Sequence, residues 1–339
     1  VLSNRDTMKS KIQFGIIGCS SIAKKSTIPA IIENKNSELG MIGSRSIQKA
    51  KKFANEFNCN QFGNYDDVLN NENIDAVYIS LPINMHEKWA IKAAKAGKHI
   101  LCEKSATLSY SSAKKIIKEC KNNNVKIVEN FVFKFHPQHK KFLDIIKQNT
   151  IGNIHTFSSK YGFNLFHSKK NFRFNKQFGG GALNDVGCYL ISASTFIFKD
   201  TPISVFCNLE INNKLKIDTG GSILLTFSKN RSALLSFSYE NYFQSTYEVW
   251  GVKGLMKMER AFNVPKNMKT TIFLNKNDKI KKILIPGVNQ FQLSIENFCN
   301  KVKNKSKNNN LEKEFLNQAL IMNAIRKSSK QHSLIKIKY

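Results

Sequence analysis

The first 130 residues alternate short apolar runs with amphipathic ones, and that alternation restricts the fold more than any other property of the chain. Ile12 to Ile17 is an apolar run that ends at Gly18-Cys-Ser-Ser-Ile-Ala23, a tight turn into a helical pattern carrying Ile28, Ile31 and Ile32. Leu39 to Ile42 repeats the strand and stops at Gly43-Ser44-Arg45, before a helix spaced by Ala50, Phe53, Ala54 and Phe57. Ala76 to Leu81 and His99 to Cys102 are further buried strands, separated by a helix from His86 to Ala96 that stops at Gly97. Val125 to Val128 follows the helix Ser109 to Lys121. Strands joined by helical crossovers return parallel to one another. The pattern therefore predicts an α/β Rossmann domain, a doubly wound parallel sheet, over residues 9–130, with ligands bound beyond the carboxyl ends of its strands.

From about residue 150 the apolar period changes to two. Ile154 to Lys160, Ser204 to Ile211, Gly221 to Phe227, Ser232 to Ser238 and Ser245 to Trp250 all alternate, which is the mark of half-buried antiparallel strands. Ser228 to Arg231 and Gly251 to Gly254 are hairpin turns in this reading, and Gly181 to Phe198 and Leu311 to Ser328 are helices. Residues 131–339 are expected to form an α+β domain with a large, mainly antiparallel open sheet. At 339 residues and 41% hydrophobic content, the chain can bury two cores.

A formal net charge of +29 would suit a nucleic-acid partner, but the distribution opposes it. Lysine and asparagine occupy nearly every polar position instead of forming a stripe, and the aromatics lie within apolar runs rather than between basic residues. We expect no nucleic-acid partner, and a field that favours anionic small molecules. The densest basic tract, Lys301 to Asn310, reads as a solvated loop before a helix. Seven cysteines without a CxxC pair suit a reducing cytoplasm. The absence of any run of eighteen apolar residues argues against a membrane partner. The polar start of the sequence offers no signal-peptide core, and Met8 is expected to be the natural first residue. His86, His99, His136 and His139 lack zinc-motif spacing, so no metal is expected.

Gly18-x-Ser20-x-x-Ala23 is an imperfect dinucleotide fingerprint with serine at its middle glycine. Its place, after the first strand and opening a helix, is the one in which backbone N–H groups can reach a pyrophosphate. At the end of the second strand an NAD site usually carries an acidic residue for the ribose hydroxyls. This chain has Ser44-Arg45, which suits the 2′-phosphate of NADP, with NAD the alternative.

Five blocks in a fixed order resemble the Gfo/Idh/MocA oxidoreductase family: GIIGCSSIA (Gly15 to Ala23), SLPINMH (Ser80 to His86), AGKHILCEKS (Ala96 to Ser105), ENFVFKFHPQ (Glu129 to Gln138) and GGGALNDVGCY (Gly179 to Tyr189). The resemblance covers nearly the whole chain after Met8. Its last two blocks look like the branch that holds nucleotide-sugar 3-ketoreductases, NADP-dependent xylose dehydrogenases and dihydrodiol dehydrogenases.

The resemblance implies that Lys104, in Glu103-Lys104-Ser105 where the family has Glu-Lys-Pro, is catalytic together with Tyr189, which stands where many members have histidine, and with Asp185 four residues earlier on the same helical face. A phenol can donate a proton to a developing alkoxide, and a nearby ammonium would lower its pKa toward the working range and stabilise oxyanion character. The glycines before Tyr189 would allow close approach by a ligand. By the same resemblance the cofactor is met by Gly18, Ser20, Ser21, Ile22, Ala23, Ser44, Arg45, Leu81, Pro82, Asn84, His86, Glu103 and Lys104, and the substrate by Glu129, Phe131, Arg173, Asp185 and Tyr189. The second domain is then the one for substrate binding and oligomerisation, as a homodimer or homotetramer. The expected activity is hydride transfer between NADP and a sugar hydroxyl or ketone, foremost a keto-sugar reductase acting on a nucleotide-linked sugar in deoxysugar or surface-glycan synthesis. The alternatives are a dehydrogenase of a free aldose or dihydrodiol, and a catalytically silent NADP-binding regulator.

Overall fold

A computed structural model describes residues 11–165, 171–304 and 309–339, so Met8 lies outside the described residues. The chain divides into two compact units. The first holds the chain up to Ala106 together with Ser111–Asn130 and Phe291–Phe315, and the second holds Thr107–Tyr110, Phe131–Gln290 and Leu316–Tyr339.

In the first unit, β1 (Ile12–Ile17), β2 (Ser37–Gly43), β3 (Phe62–Gly63), β4 (Ala76–Ile79), β5 (His99–Cys102) and β6 (Ile127–Glu129) form one parallel sheet in the order β3-β2-β1-β4-β5-β6. They alternate with α1 (Ile28–Glu33), α2 (Ile47–Glu56), α3 (Tyr65–Asn70), α4 (His86–Lys95) and α5 (Tyr110–Asn122). This is the doubly wound arrangement that the alternation predicts, with its topological reversal between β1 and β4. A π-helical turn, Ala23–Thr27, precedes α1.

The sequence assigns everything after residue 130 to the second domain, whereas residues 291–315 pack in the first unit. Phe298 meets the Phe14 ring of β1 at 5.5 Å, and Ile295, Cys299 and Leu311 join the same buried cluster. Lys126 Nζ donates to the carbonyls of Lys301 and Asn304. The basic tract read as a loop from Lys301 is therefore still helical through Lys303.

The second unit contains α6 (Pro137–Lys147), β7 (Ile154–Gly162), α7 (Cys188–Phe198), β8 (Ser204–Asn212), β9 (Ile217–Phe227), β10 (Arg231–Ser238), β11 (Gln244–Gly251), β12 (Gly254–Met258), β13 (Thr270–Lys276) and β14 (Lys279–Ile285). After α8 (Gln290–Lys303) and α9 (Asn309–Gln331), β15 (Ile335–Lys336) ends the chain. The nine strands form one sheet, β14-β13-β12-β11-β7-β10-β9-β8-β15, antiparallel except where β10 runs parallel to β7. One face is packed: Phe157, Tyr161, Val205, Leu225, Leu235, Phe237, Tyr247 and Met256 are buried with Leu190, Ile191 and Ile197 of α7 and Ile321 and Ile325 of α9. The other face stays open, and Phe206, Leu224 and Leu234 stand side by side on it. Alternation along each strand produces this division, because a period of two sends successive side chains to opposite faces.

Candidate active site

In the first unit every sequence-predicted cofactor residue lies at or just beyond a strand's carboxyl end. The peptide groups there form a ladder: Gly18 N donates to Gly43 O (3.1 Å), Ser44 N to Gly63 O (3.0 Å), Ser80 N to Ile17 O (3.0 Å), Glu103 N to Ile79 O (2.9 Å) and Asn130 N to Cys102 O (2.8 Å). The ladder aligns the loops that follow β1, β2, β4, β5 and β6 along one edge.

Gly18 takes a φ of +109°, open to glycine and strained for any other residue, and a Cβ there would lie 2.8 Å from Leu81 Cδ2 and 3.0 Å from Ser80 O. The Ser80 hydroxyl donates to Gly18 O at 2.7 Å. Ser20 has a local reason to replace glycine: its Oγ accepts from Ala23 N at 3.1 Å and caps the helical turn opened by Ser21 and Ile22, both exposed. Ser44 is buried and its Oγ accepts from Ser46 N (3.3 Å), while Arg45 is exposed beside it. A glycine turn, a capped helix start and an exposed arginine after β2 fit an NADP dinucleotide: phosphates on the helix start, 2′-phosphate on Arg45.

Leu81, Pro82 and Asn84 follow β4, with Asn84 exposed. His86 is instead taken up by the scaffold. It is fully buried, with Nε2 2.8 Å from Leu81 O and Nδ1 3.2 and 3.3 Å from the carbonyls of Ser105 and Ala106, so that both ring nitrogens are engaged by backbone. Burial lowers its pKa against the raising effect of those carbonyls. The ring clamps the loop after β4 to the loop after β5.

Glu103 is likewise held from beneath. Its Oε1 accepts from Tyr78 OH (2.7 Å) and Asn130 Nδ2 (2.9 Å), and Thr27 Oγ1 donates to the Tyr78 oxygen (3.1 Å) and Ser294 Oγ to Asn130 Oδ1 (2.8 Å). Burial pushes the carboxyl above the usual range, partly countered by Tyr78, Asn130 and Lys104. Lys104 follows, half-buried, and its peptide bond to Ser105 is cis. Glu129 Oε1 accepts from Ala106 N at 2.8 Å. The network thus fixes the segment that carries Lys104 from two neighbouring strands.

In the second unit, Tyr189 is buried on α7 in an aromatic shell of Phe131 (5.6 Å between centroids), Phe133 (5.8 Å), Tyr161 (5.3 Å) and Phe262 (5.5 Å). Phe131, a predicted substrate contact, forms one wall of that shell. Asp185 sits in a π-helical turn, Leu183–Gly187, and receives Arg173 Nε at 2.6 Å. The glycine run before them serves the chain rather than a ligand: a Cβ on Gly180 would overlap Arg173 O and one on Gly181 would overlap Asp218 Oδ1. Asp218 in turn accepts from Leu183 N, and Arg326 of α9 donates to Asn184. Burial pushes the Asp218 carboxyl up and the Arg326 guanidinium down. Neither residue carries a sequence motif, and their part in seating the Asp185 turn is visible only in the fold.

Among the described residues no three histidine, cysteine or acidic groups gather as a metal site, and no helix is long and apolar enough to cross a membrane. All seven cysteines are buried free thiols.

Residues 12–131 match the family model described as an oxidoreductase family with an NAD-binding Rossmann fold, and residues 139–257 match the GFO/IDH/MocA C-terminal domain. A dTDP-3,4-didehydro-2,6-dideoxy-α-D-glucose 3-reductase of Actinomadura kijaniata is 30% identical over 315 residues, 93% of this chain and 95% of the reductase. A D-xylose 1-dehydrogenase (NADP(+)) of Haloferax volcanii is 30% identical over 254 residues, 75% of this chain and 77% of the dehydrogenase. The crystal structure of a 3-ketoreductase from Actinomadura kijaniata with NADP and TDP-benzene superposes with a TM-score of 0.89 at 29% identity, covering 94% of this chain and 98% of that one. Solved variants of that reductase include a tyrosine replaced by phenylalanine and a lysine replaced by alanine, each with TDP-benzene and NADP.

Proposed function

Because the chain belongs to the GFO/IDH/MocA oxidoreductase family, we propose that it is an NADP-dependent keto-sugar reductase acting on a nucleotide-linked sugar. The observation that carries this reading is likeness to a 3-ketoreductase along almost the full length of both chains, combined with Ser44-Arg45 at the end of β2. The basic surface, +29 overall, favours a substrate bearing a diphosphate.

Gly18, Ser20, Ser21, Ile22 and Ala23 hold the pyrophosphate, Ser44 and Arg45 the 2′-phosphate, and Leu81, Pro82 and Asn84 border the nucleotide. Bound NADPH supplies the hydride. Tyr189 donates a proton from its phenol to the substrate oxygen, and the Lys104 ammonium stabilises the negative charge that develops there. Arg173, oriented by Asp185, meets the anionic part of the substrate, and Glu129 its hydroxyls. Seven free thiols suit a reducing cytoplasm, and the open apolar sheet face suits a homodimer or homotetramer.

The test is turnover with NADPH against dTDP-linked 3-keto sugars, beside NADP with D-xylose and a trans-dihydrodiol. Reduction confined to the nucleotide-linked substrate supports the proposal. Oxidation of xylose or the diol, with no reduction of any nucleotide-linked keto sugar, would replace it by a dehydrogenase of a free aldose or dihydrodiol.

A further inference from the structure

Between β12 and β13 the chain passes through Arg260 to Val264, and almost every carbonyl of that loop is taken by the rest of the second unit. Gln138 Nε2 donates to Arg260 O (3.0 Å), His139 Nε2 to Ala261 O (3.0 Å) and Gln290 Nε2 to Val264 O (3.1 Å). Ala261 N donates to Ser245 O (2.6 Å), and Ser245 Oγ accepts from Phe262 N and donates to Phe262 O, each at 3.0 Å. The Phe262 ring lies against both Tyr161 (5.1 Å) and Tyr189 (5.5 Å). The loop is therefore fixed on both sides of Asn263, which takes a φ of +47°, a conformation asparagine tolerates better than most residues. Its carboxamide bridges two phenols: Nδ2 donates to the Tyr161 oxygen, and Oδ1 accepts from Tyr189 OH at 3.5 Å. An amide that gives its N–H to Tyr161 offers its carbonyl oxygen to Tyr189.

We propose that Asn263 is a positioning residue that holds the hydroxyl proton of Tyr189 on a fixed acceptor until a substrate oxygen takes it. The inference rests on Tyr189 being the proton donor of the reaction. At 3.5 Å the contact is longer than an ordinary O–H···O bond, close enough to aim the hydroxyl and weak enough to exchange for a substrate oxygen without a large penalty. The pinned loop removes the reorganisation that an unanchored asparagine would require. His139 and Gln138, which no step of the chemistry uses, thereby gain a purpose as supports of the loop.

The test is a phenolate absorbance titration of the full-length protein, read as the difference between each protein and its Tyr189→Phe counterpart. Asn263 is exposed, so its replacement does not open the core. Asn263→Asp should raise the Tyr189 midpoint by about one pH unit, because a carboxylate accepts from the phenol and repels the phenolate. Asn263→Ala should lower it, because a hydrogen bond to the neutral form is lost. In the reductase assay Asn263→Ala should cut kcat about tenfold and leave KM within about twofold. A midpoint that neither variant moves, or that Asn263→Ala raises, overturns the inference. So does a rise in KM alone, which would make Asn263 a substrate contact. The titration needs no substrate, so a protein inactive on every keto sugar yet showing both shifts would count against the proposed function and not against the role of Asn263.

Discussion

Arg173 Nε donates to Asp185 Oδ2 across 2.6 Å, joining a short turn to a π-helical turn twelve residues later. Burial works against the Arg173 charge, and Asp185 more than offsets it, so the guanidinium stays fully protonated. A carboxylate committed in this way orients its partner and is poorly placed to shuttle protons. The resemblance places Asp185 in the catalytic group beside Tyr189, and from its pairing with Arg173 we propose instead that it anchors that guanidinium.

Replacement of Asp185 by asparagine should therefore act through binding. The pair is partly screened, with 33% and 14% of the two side chains exposed, so we expect a loss of about 1–2 kcal/mol of stability. The keto-substrate KM should rise about tenfold with kcat less affected. Thermal melting and initial rates would check both; a kcat that falls a hundredfold at constant KM would return Asp185 to the proton path.

Lys104→Ala and Tyr189→Phe should separate chemistry from packing. Phenylalanine keeps the ring that meets Phe131, Tyr161 and Phe262. Its melting temperature should therefore match wild type, while kcat drops on the order of 100-fold. Lys104→Ala removes a charge from the loop after β5 and should cost about 100- to 1,000-fold in kcat/KM. Steady-state kinetics beside a melting curve would decide, and near-wild-type turnover in either variant would remove that residue from the proposed pair.

Arg45→Asp should invert cofactor preference. Arg45 is exposed after β2 beside the buried Ser44, and a carboxylate there repels a 2′-phosphate but accepts from ribose hydroxyls. KM for NADPH should rise about 100-fold while KM for NADH falls. Equal effects on the two cofactors would show that Arg45 does not read the phosphate.

How far the sequence could carry these assignments depends on the range of the interaction. Gly18 and Ser44-Arg45 can be placed from the sequence because each stands at a strand end, and strand ends follow from local periodicity, whereas Lys104 is singled out by the family resemblance. The β13–β14 hairpin escaped, because Lys279, Lys281 and Lys282 dilute its apolar pattern at the sheet edge, where lysine discourages pairing with other chains. The return of Phe298 to Phe14 joins residues far apart in the chain, and no local pattern announces it. His86 looked cofactor-facing from its motif and proved to be a buried clamp, a distinction set by carbonyls nearly twenty residues away. Asn263 lies outside every motif and acquires meaning only because a folded loop carries it to Tyr189.

The open face of the second-unit sheet makes its own prediction. Phe206 pairs with Leu224 and Leu224 with Leu234, a continuous apolar row on three adjacent strands, with Trp250 and Leu284 exposed on the same face. Such a row is expected to be covered by a second copy of the chain. Light scattering at micromolar concentration should give a dimer or tetramer for wild type and a smaller species for Leu234→Glu. A monomeric wild type would dispose of the assembly.

Acid should unfold the second unit early, and His139 gives the reason. Buried beneath the 260–264 loop, its Nε2–H donates to Ala261 O and its Nδ1 lies 2.7 Å from Tyr247 OH, which donates to it while the ring is neutral. Burial, with neighbouring His136, pushes its pKa down to about 3, and burial pushes His136 down to about 4. In the unfolded chain both titrate near ~6.5. Between those values the unfolded state binds more protons, so stability is full above about pH 6.5 and falls as pH drops toward 4 and then 3. Each histidine contributes on the order of 3 kcal/mol to that loss. Melting temperature followed from pH 7 to pH 4 should decline steeply, and His139→Gln, which cannot take up a proton, should start lower and decline less. A melting temperature flat across that range would mean that these rings are not held neutral by the fold.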